Sequence, residues 1–310
     1  MDATLTPVLS PDVARVVDAY RTAEFATVTR SGTAIAWPAC PLYDPDTGTF
    51  TLTTSVALPT KAFNIRREPR VSLLFSDPTG SGLDAPQQVL VQGRATCPDV
   101  VVSSPEGYER YWARLLSRQP GGQSYGKTAL GRRVMDWYYF RLVITVTPET
   151  VTLRPPLVRD APLAPGAGQL KELKNYRDAV LSFVDADGRP TSTRLRPSPL
   201  PDGRLALPRV EGLRPGPASL LAHFHDEKLW SLRSFVSVGS VSPVADGWAF
   251  TPERYLPGAS PDPRALLRTL RAARATSKRY LAARDLPRPV VDWNAFKALY
   301  DRPDLTAPLS

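Results

Sequence analysis

The clearest alternation of apolar and polar positions lies between residues 49 and 76. Residues 49–55 read Thr-Phe-Thr-Leu-Thr-Thr-Ser, with Phe50 and Leu52 on one face and threonines on the other. That is the two-residue period of a half-buried strand. Pro59 suits the first turn of a helix, where a missing N–H is no loss. Ala62, Phe63 and Ile65 then give a short apolar face, Pro69 ends the helix, and residues 71–75 form a second strand. The unit leaves hydroxyls at the end of the first strand and Lys61 in the first turns of the helix. Helix-end N–H groups, the helix dipole, hydroxyls and a lysine together make an anion site of a kind that suits phosphate. The plainer alternative is an ordinary Ser/Thr-rich turn beside a solvated lysine.

Around this unit the pattern predicts short strands closed by helices. Val13, Val16, Val17 and Tyr20 recur at helical spacing after Ser10, a predicted N-cap. Residues 25–29 and 33–43 read as strands joined by Arg30-Ser-Gly-Thr, and Asp44-Pro-Asp-Thr-Gly turns the chain into residue 49. A polar loop over 77–86 leads to a strand over 88–97, where Gly93 marks a bulge or a close ligand approach. A helix over 105–118 carries Tyr108, Tyr111, Trp112 and Leu115 on one face. A loop over 121–133, an aromatic-rich strand over 136–147 and a last strand over 150–154 follow. Such hairpins predict a small, mainly β barrel of the α+β class.

Residues 155–168 are rich in Pro and Gly and read as a linker. Beyond them the pattern returns. Val180-Leu-Ser-Phe onward lines up with the strands from Ala26, and Pro201-Asp-Gly-Arg-Leu-Ala-Leu with the strand at 49–55. Residues 218–223 read as the helix, residues 229–235 stand where 71–75 stood, and Phe235-Val-Ser-Val-Gly-Ser-Val echoes Val89-Leu-Val-Gln-Gly-Arg-Ala. The order and spacing of these matches predict a tandem repeat: one domain over 1–155, a linker over 156–168, and a second domain over 169–310 ending in helices. The second copy has Leu207-Pro-Arg in place of the hydroxyl cluster and no lysine in place of Lys61.

Composition narrows the chemistry. Charged residues are 22% and hydrophobic ones 42%, as in a soluble globular protein. No apolar run approaches the ~18 residues of a membrane span, and no secretory leader is evident; a cytoplasmic protein is expected. Cys40 and Cys97 are expected as buried strand thiols, and His223 and His225 are the sole histidines, which leaves metal-centre and histidine-base mechanisms little to work with. The net charge of +9 is read as dispersed and comes with no nucleic-acid motif, so neither nucleic acid nor membrane is expected as a partner. Leu266, Leu267, Leu270, Ala273 and Tyr280 predict a helix over 263–283 whose arginine-rich opposite face reads as solvated, and residues 292–300 predict a short packing helix.

Thr53-Thr-Ser, Lys61-Ala, Pro69-Arg-Val-Ser-Leu-Leu-Phe and Gln88-Val-Leu-Val-Gln-Gly-Arg-Ala, within residues 12–98, resemble the pyridoxamine 5′-phosphate oxidase-like family of flavin-binding split β-barrels. The resemblance implies two tandem split β-barrels that imitate a family dimer, as a pseudo-dimeric monomer or a homodimer. It implies FMN, with Thr53, Thr54, Ser55 and Lys61 at its phosphate and ribityl end, Trp37, Pro38 and Ala39 near the ring, and Gln88 reaching the cofactor. For Trp37 a plain core or interface aromatic is the alternative. The implied activity is that of an FMN-dependent oxidoreductase acting on a small molecule, with NAD(P)H as a candidate partner. A deazaflavin-dependent reductase and a non-catalytic flavin- or heme-binding protein share the barrel. The sequence departs from the family at Pro38, where family oxidases carry arginine, at Thr60, where a second basic residue is usual, and in lacking their C-terminal Arg/His motif. Aligning Pro41 with Pro197 puts Arg194 opposite Pro38, which makes Arg194 a further cofactor-binding candidate, in the second copy.

Overall fold

The computed structural model describes residues 9–158, 161–260 and 262–309; Arg159 and Asp160 of the linker lie outside the described residues. Phe50 and Leu52 are fully buried, as their alternation requires, and they anchor the first of two seven-stranded antiparallel sheets. Its strands are β1 (Ala23–Val28), β2 (Ala34–Ala39), β3 (Leu42–Asp44), β4 (Thr49–Ser55), β5 (Arg70–Phe75), β6 (Gln88–Thr96) and β7 (Arg141–Arg154). The second sheet holds β8 (Ala179–Val184), β9 (Pro190–Leu195), β10 (Ser198–Pro199), β11 (Leu205–Leu207), β12 (Gly216–His225), β13 (Leu232–Val244) and β14 (Gly247–Pro257). The first runs β2-β1-β5-β6-β7-β4-β3 and the second β9-β8-β12-β13-β14-β11-β10, the same order strand for strand.

Register makes the repeat residue-specific. Ala26 faces Ala36 and Ser72 in the first sheet, and Ser182 faces Ser192 and Ser219 in the second. Pro38 therefore corresponds to Arg194 and Thr53 to Pro208. Both long strands carry a glycine bulge, Gly93 in β6 and Gly239 in β13. A Cβ at either would lie 2.1 Å from the Thr147 carbonyl oxygen or 2.0 Å from that of Thr251, so only glycine admits the crossing strand. The strands opposite repeat the same tripeptide, Thr147-Pro148-Glu149 and Thr251-Pro252-Glu253.

Several local expectations are corrected. Residues 218–223 are not a helix but the middle of β12. Ala218, Leu220 and Ala222 join the core of the second sheet while Leu221 faces the other way, and burial on both faces erases the alternation that marks a half-exposed strand. β12, not residues 229–235, takes the place of β5, and the second copy has no counterpart of the helix that precedes β5. Residues 121–133 are not a loop: they form α4 (Pro120–Tyr125) and α5 (Ala129–Met135), with Gly121 against Trp230 and Gly126 against Trp293, close approaches that glycine permits. Residues 136–139 make a 3-10 turn, and β7 is one strand that absorbs Pro148 at the bulge facing Gly93. Cys40 and Cys97 each sit one residue beyond a strand end; burial raises both thiols above their ordinary range.

The remaining helices are α1 (Pro11–Ala19), capped by Ser10, α2 (Thr60–Arg67), α3 (Glu109–Arg118), α6 (Pro263–Ala282) and α7 (Trp293–Ala298). The side chains of Arg264 and Leu266 lie outside the described residues. Although α6 and α7 follow the second sheet in sequence, Ala273, Tyr280 and Phe296 enter the core of the first. Between the sheets runs an apolar seam of Ala26, Ile35, Ala36, Leu74 and Leu90 against Val180, Leu221 and Val236. Its contacts are reciprocal, since β2 touches β12 as β9 touches β5, and β2 touches β8 as β9 touches β1. That reciprocity is the signature of an approximate two-fold axis.

Candidate functional site

β4 ends where its hydroxyls must satisfy a tight turn into α2, and that turn decides their use. Thr54 Oγ1 donates to the Leu58 carbonyl (2.9 Å). Ser55 Oγ donates to the Trp137 carbonyl (2.7 Å) and accepts from the Ala57 N–H (3.1 Å). Both hydroxyls are buried in holding the turn. Thr53 is different: it is half-buried, and its Oγ1 meets the Tyr111 hydroxyl of α3 at 3.1 Å. Trp37, Pro38, Ala39 and Cys40, at the end of β2, are likewise half-buried.

Lys61 follows on α2, a helix whose N-terminus no side chain caps. Among the described residues Lys61 has neither a hydrogen-bond acceptor nor a carboxylate. Burial, and then the nearby charge of Arg141, push its pKa from 10.5 down to about 8. Arg141 opens β7 directly opposite Ser55. It is buried, pairs with no described carboxylate, and lies over the rings of Tyr138 (4.1 Å) and Trp112 (5.5 Å). Its Nε finds no partner. Behind it Arg114 and Arg118 share one carboxylate, Asp18. Burial pushes Tyr111 up to about 12, against the pull of Arg141 and Thr53, so its phenol stays a protonated donor at neutral pH. The first copy thus brings together two positive side chains, Lys61 and Arg141, that have no carboxylate partner among the described residues.

Arg141, Tyr111 and Tyr138 were not singled out from the sequence as site residues. The available signal was a lone arginine inside the apolar run Trp-Tyr-Tyr-Phe-Arg-Leu-Val-Ile. Its proximity to Lys61 depends on the pairing of β4 with β7, two strands far apart in sequence.

The corresponding cleft of the second copy has other chemistry. It encloses about 410 Å³ between Thr193, Leu195 and Arg196 on one side, Pro208, Arg209 and Val210 on another, and Arg154 and Leu157 from the end of the first copy. Pro208 stands in register for Thr53, and no helix or lysine follows. Gln88 belongs to this side: it faces Arg154 in the ladder and donates to the Pro155 carbonyl at 2.9 Å. The sequence candidates therefore fall in separate places: Trp37 to Ser55 with Lys61 in the first copy, Gln88 beside Arg154, and Arg194 at the wall of the second-copy cleft.

The Arg194 guanidinium is fully buried in the seam. Its Nε donates to Ser76 Oγ (2.8 Å), Nη1 pairs with Asp178, and Nη2 lies 2.6 Å from Glu24 Oε1 and 2.8 Å from His223 Nε2. Burial alone would raise the Glu24 pKa; Arg194, His223 and Ser76 outweigh it and hold the carboxyl below its ordinary range. Across the pseudo-axis the register equivalents of Arg194 and Glu24 are Pro38 and Val180, so an ion pair on one side replaces apolar packing on the other.

No family model and no curated protein sequence matches the chain. Solved structures do. A Listeria innocua protein named for pyridoxamine 5′-phosphate oxidase is 17% identical, with 46% of this chain and 94% of that one covered at a TM-score of 0.31. The heme storage protein of Vibrio cholerae is 14% identical (47% and 95% covered, TM-score 0.31), and general stress protein 26 of Bacillus anthracis is 16% identical (46% and 90% covered, TM-score 0.30). Each of these structures covers about half of this chain, and the chain itself is a tandem of two antiparallel seven-stranded sheets of like strand order.

Proposed function

We propose that the first-copy cleft binds the phosphate of a flavin, FMN, and that the chain is a flavin-dependent oxidoreductase acting on a small molecule with NAD(P)H as electron source. The observation that carries the proposal is the pair Lys61 and Arg141. Two cations without a described carboxylate, one with an orphaned buried Nε, fit an anionic group that would complete them. In this reading Lys61, Arg141 and the hydroxyls of Thr53 and Tyr111 hold the phosphate end, while Thr54 and Ser55 shape the turn that presents them. Trp37, Pro38 and Ala39 form the wall along which the ring lies. FMN, when bound, supplies the electron transfer; the protein binds and orients it and limits access of water.

The test is the absorbance of the purified chain followed by titration with FMN. A flavin spectrum bleached by NADH or NADPH, with uptake near one FMN per chain that is weakened by Arg141→Gln and not by Arg209→Ala, is the expected result. A Soret band, selective uptake of a deazaflavin, or two equal FMN sites per chain would each overturn it.

A further inference from the structure

Residues 263–284 contain seven basic residues and no acidic one, so a single segment accounts for seven of the nine excess positive charges of the chain. The charge read as dispersed is in fact concentrated here: six of the seven lie on α6 itself, and the seventh, Arg284 just beyond it, pairs with Asp99. The apolar face of the helix is occupied: Ala273, Tyr280 and Leu281 are buried, and the Tyr280 ring stacks on Phe63 of α2 at 6.0 Å. The opposite face exposes Arg268, Arg271, Arg274, Lys278 and Arg279, none with a described carboxylate partner. The spacings 268–271, 271–274 and 274–278 put like charges on adjacent turns, where they repel. A face whose only task was solvation would be relieved by intervening glutamates. This one keeps its repulsion along about 16 Å from Arg268 to Arg279.

We infer that α6 is a docking surface for duplex nucleic acid, held through its phosphates without reading base sequence. Arginine outnumbers lysine four to one among the five exposed cations, as suits forked contacts to phosphate oxygens. The side chains between them are mainly alanine and threonine, small enough to let the helix axis approach a phosphate backbone. Leu267 is the large apolar residue exposed on the described part of this face. A protein partner would lack the aromatic and aliphatic anchors that interfaces use. A lipid surface would find no apolar face to insert, because that face is already in the core.

The experiment is fluorescence anisotropy of a labelled 20-bp DNA duplex of mixed sequence with the full chain. Five phosphate contacts predict an affinity that falls roughly 500-fold between 50 and 200 mM salt. Arg271→Glu combined with Arg274→Glu and Lys278→Glu should abolish binding while leaving the unfolding midpoint within a few degrees. The same three positions changed to Gln should cut the salt slope by about three. Reversing Arg30 and Arg254, exposed cations elsewhere, should leave binding in place. Absence of duplex binding at 50 mM salt, equal loss with the Arg30 and Arg254 reversals, or tighter binding to phosphatidylserine vesicles or polyglutamate would overturn the inference.

Discussion

Replacing Lys61 by methionine separates binding from stability in a way that a passive surface lysine would not. The folded cleft lowers the Lys61 pKa from 10.5 to about 8, so keeping the amine charged at pH 7 costs up to about 3 kcal/mol. Partial exposure of the side chain to water reduces that to about 1–2 kcal/mol. The unfolded chain binds this proton more tightly than the folded one. The penalty is therefore fully present below about pH 8 and fades as pH rises toward the unfolded value. Lys61→Met should make the chain more stable by about 1–2 kcal/mol at pH 7 in urea unfolding, with the gain nearly gone at pH 10.5. The same variant should bind FMN ten- to a hundredfold more weakly, the loss of one charge-assisted contact of about 1.5–3 kcal/mol. Wild-type affinity should also fall as pH rises through about 8, where the free protein begins to lose the ammonium proton, whereas Lys61→Arg should be flat there. Fluorescence titration of FMN at several pH values measures both effects. A Lys61→Met protein that is less stable at pH 7, or one that binds FMN as wild type does, would refute the reasoning.

Gly93→Ala and Gly239→Ala should each destabilise the chain by about 2–4 kcal/mol, since the new methyl meets a backbone carbonyl rather than a movable side chain. Guanidinium unfolding checks this, and tolerance at either position would show that the two bulges are not equivalent. Arg194→Met removes the guanidinium that Glu24 and Asp178 share in the seam and should cost about 3–5 kcal/mol at pH 7. In that variant the largest influence opposing burial at Glu24 is gone and only His223 and Ser76 still oppose it, so the Glu24 pKa rises relative to the wild type and protonation costs the folded state less. The deficit should narrow at pH 5, and a deficit that widens there would argue against the network.

What the sequence determined on its own was whatever repeats locally. The alternation of Phe50 and Leu52 and the turn Arg30-Ser-Gly-Thr specified strands and hairpin, the glycine at residue 93 pointed to a bulge or a close approach, of which the structure shows the bulge, and the recurrence of the pattern after the linker specified two copies of one sheet. The aligned prolines Pro41 and Pro197 placed Arg194 opposite Pro38, as the register of β1 with β2 and of β8 with β9 bears out. Local pattern misled where burial is two-sided. β12 has no wet face, so its apolar run reads equally well as helix, and only its place between β8 and β13 makes it a strand. Helices α4 and α5 were hidden for the opposite reason: their glycines weaken intrinsic propensity, and packing against Trp230 and Trp293 holds them. The candidate site was half legible. By spacing alone Lys61 and the hydroxyls read as a candidate anion site or as an ordinary turn beside a lysine. That Thr54 and Ser55 serve the turn, that Arg141 comes beside Lys61, and that Arg194 is directed into the seam are consequences of which distant strands pair and of a buried charge having to find a partner where water cannot reach it.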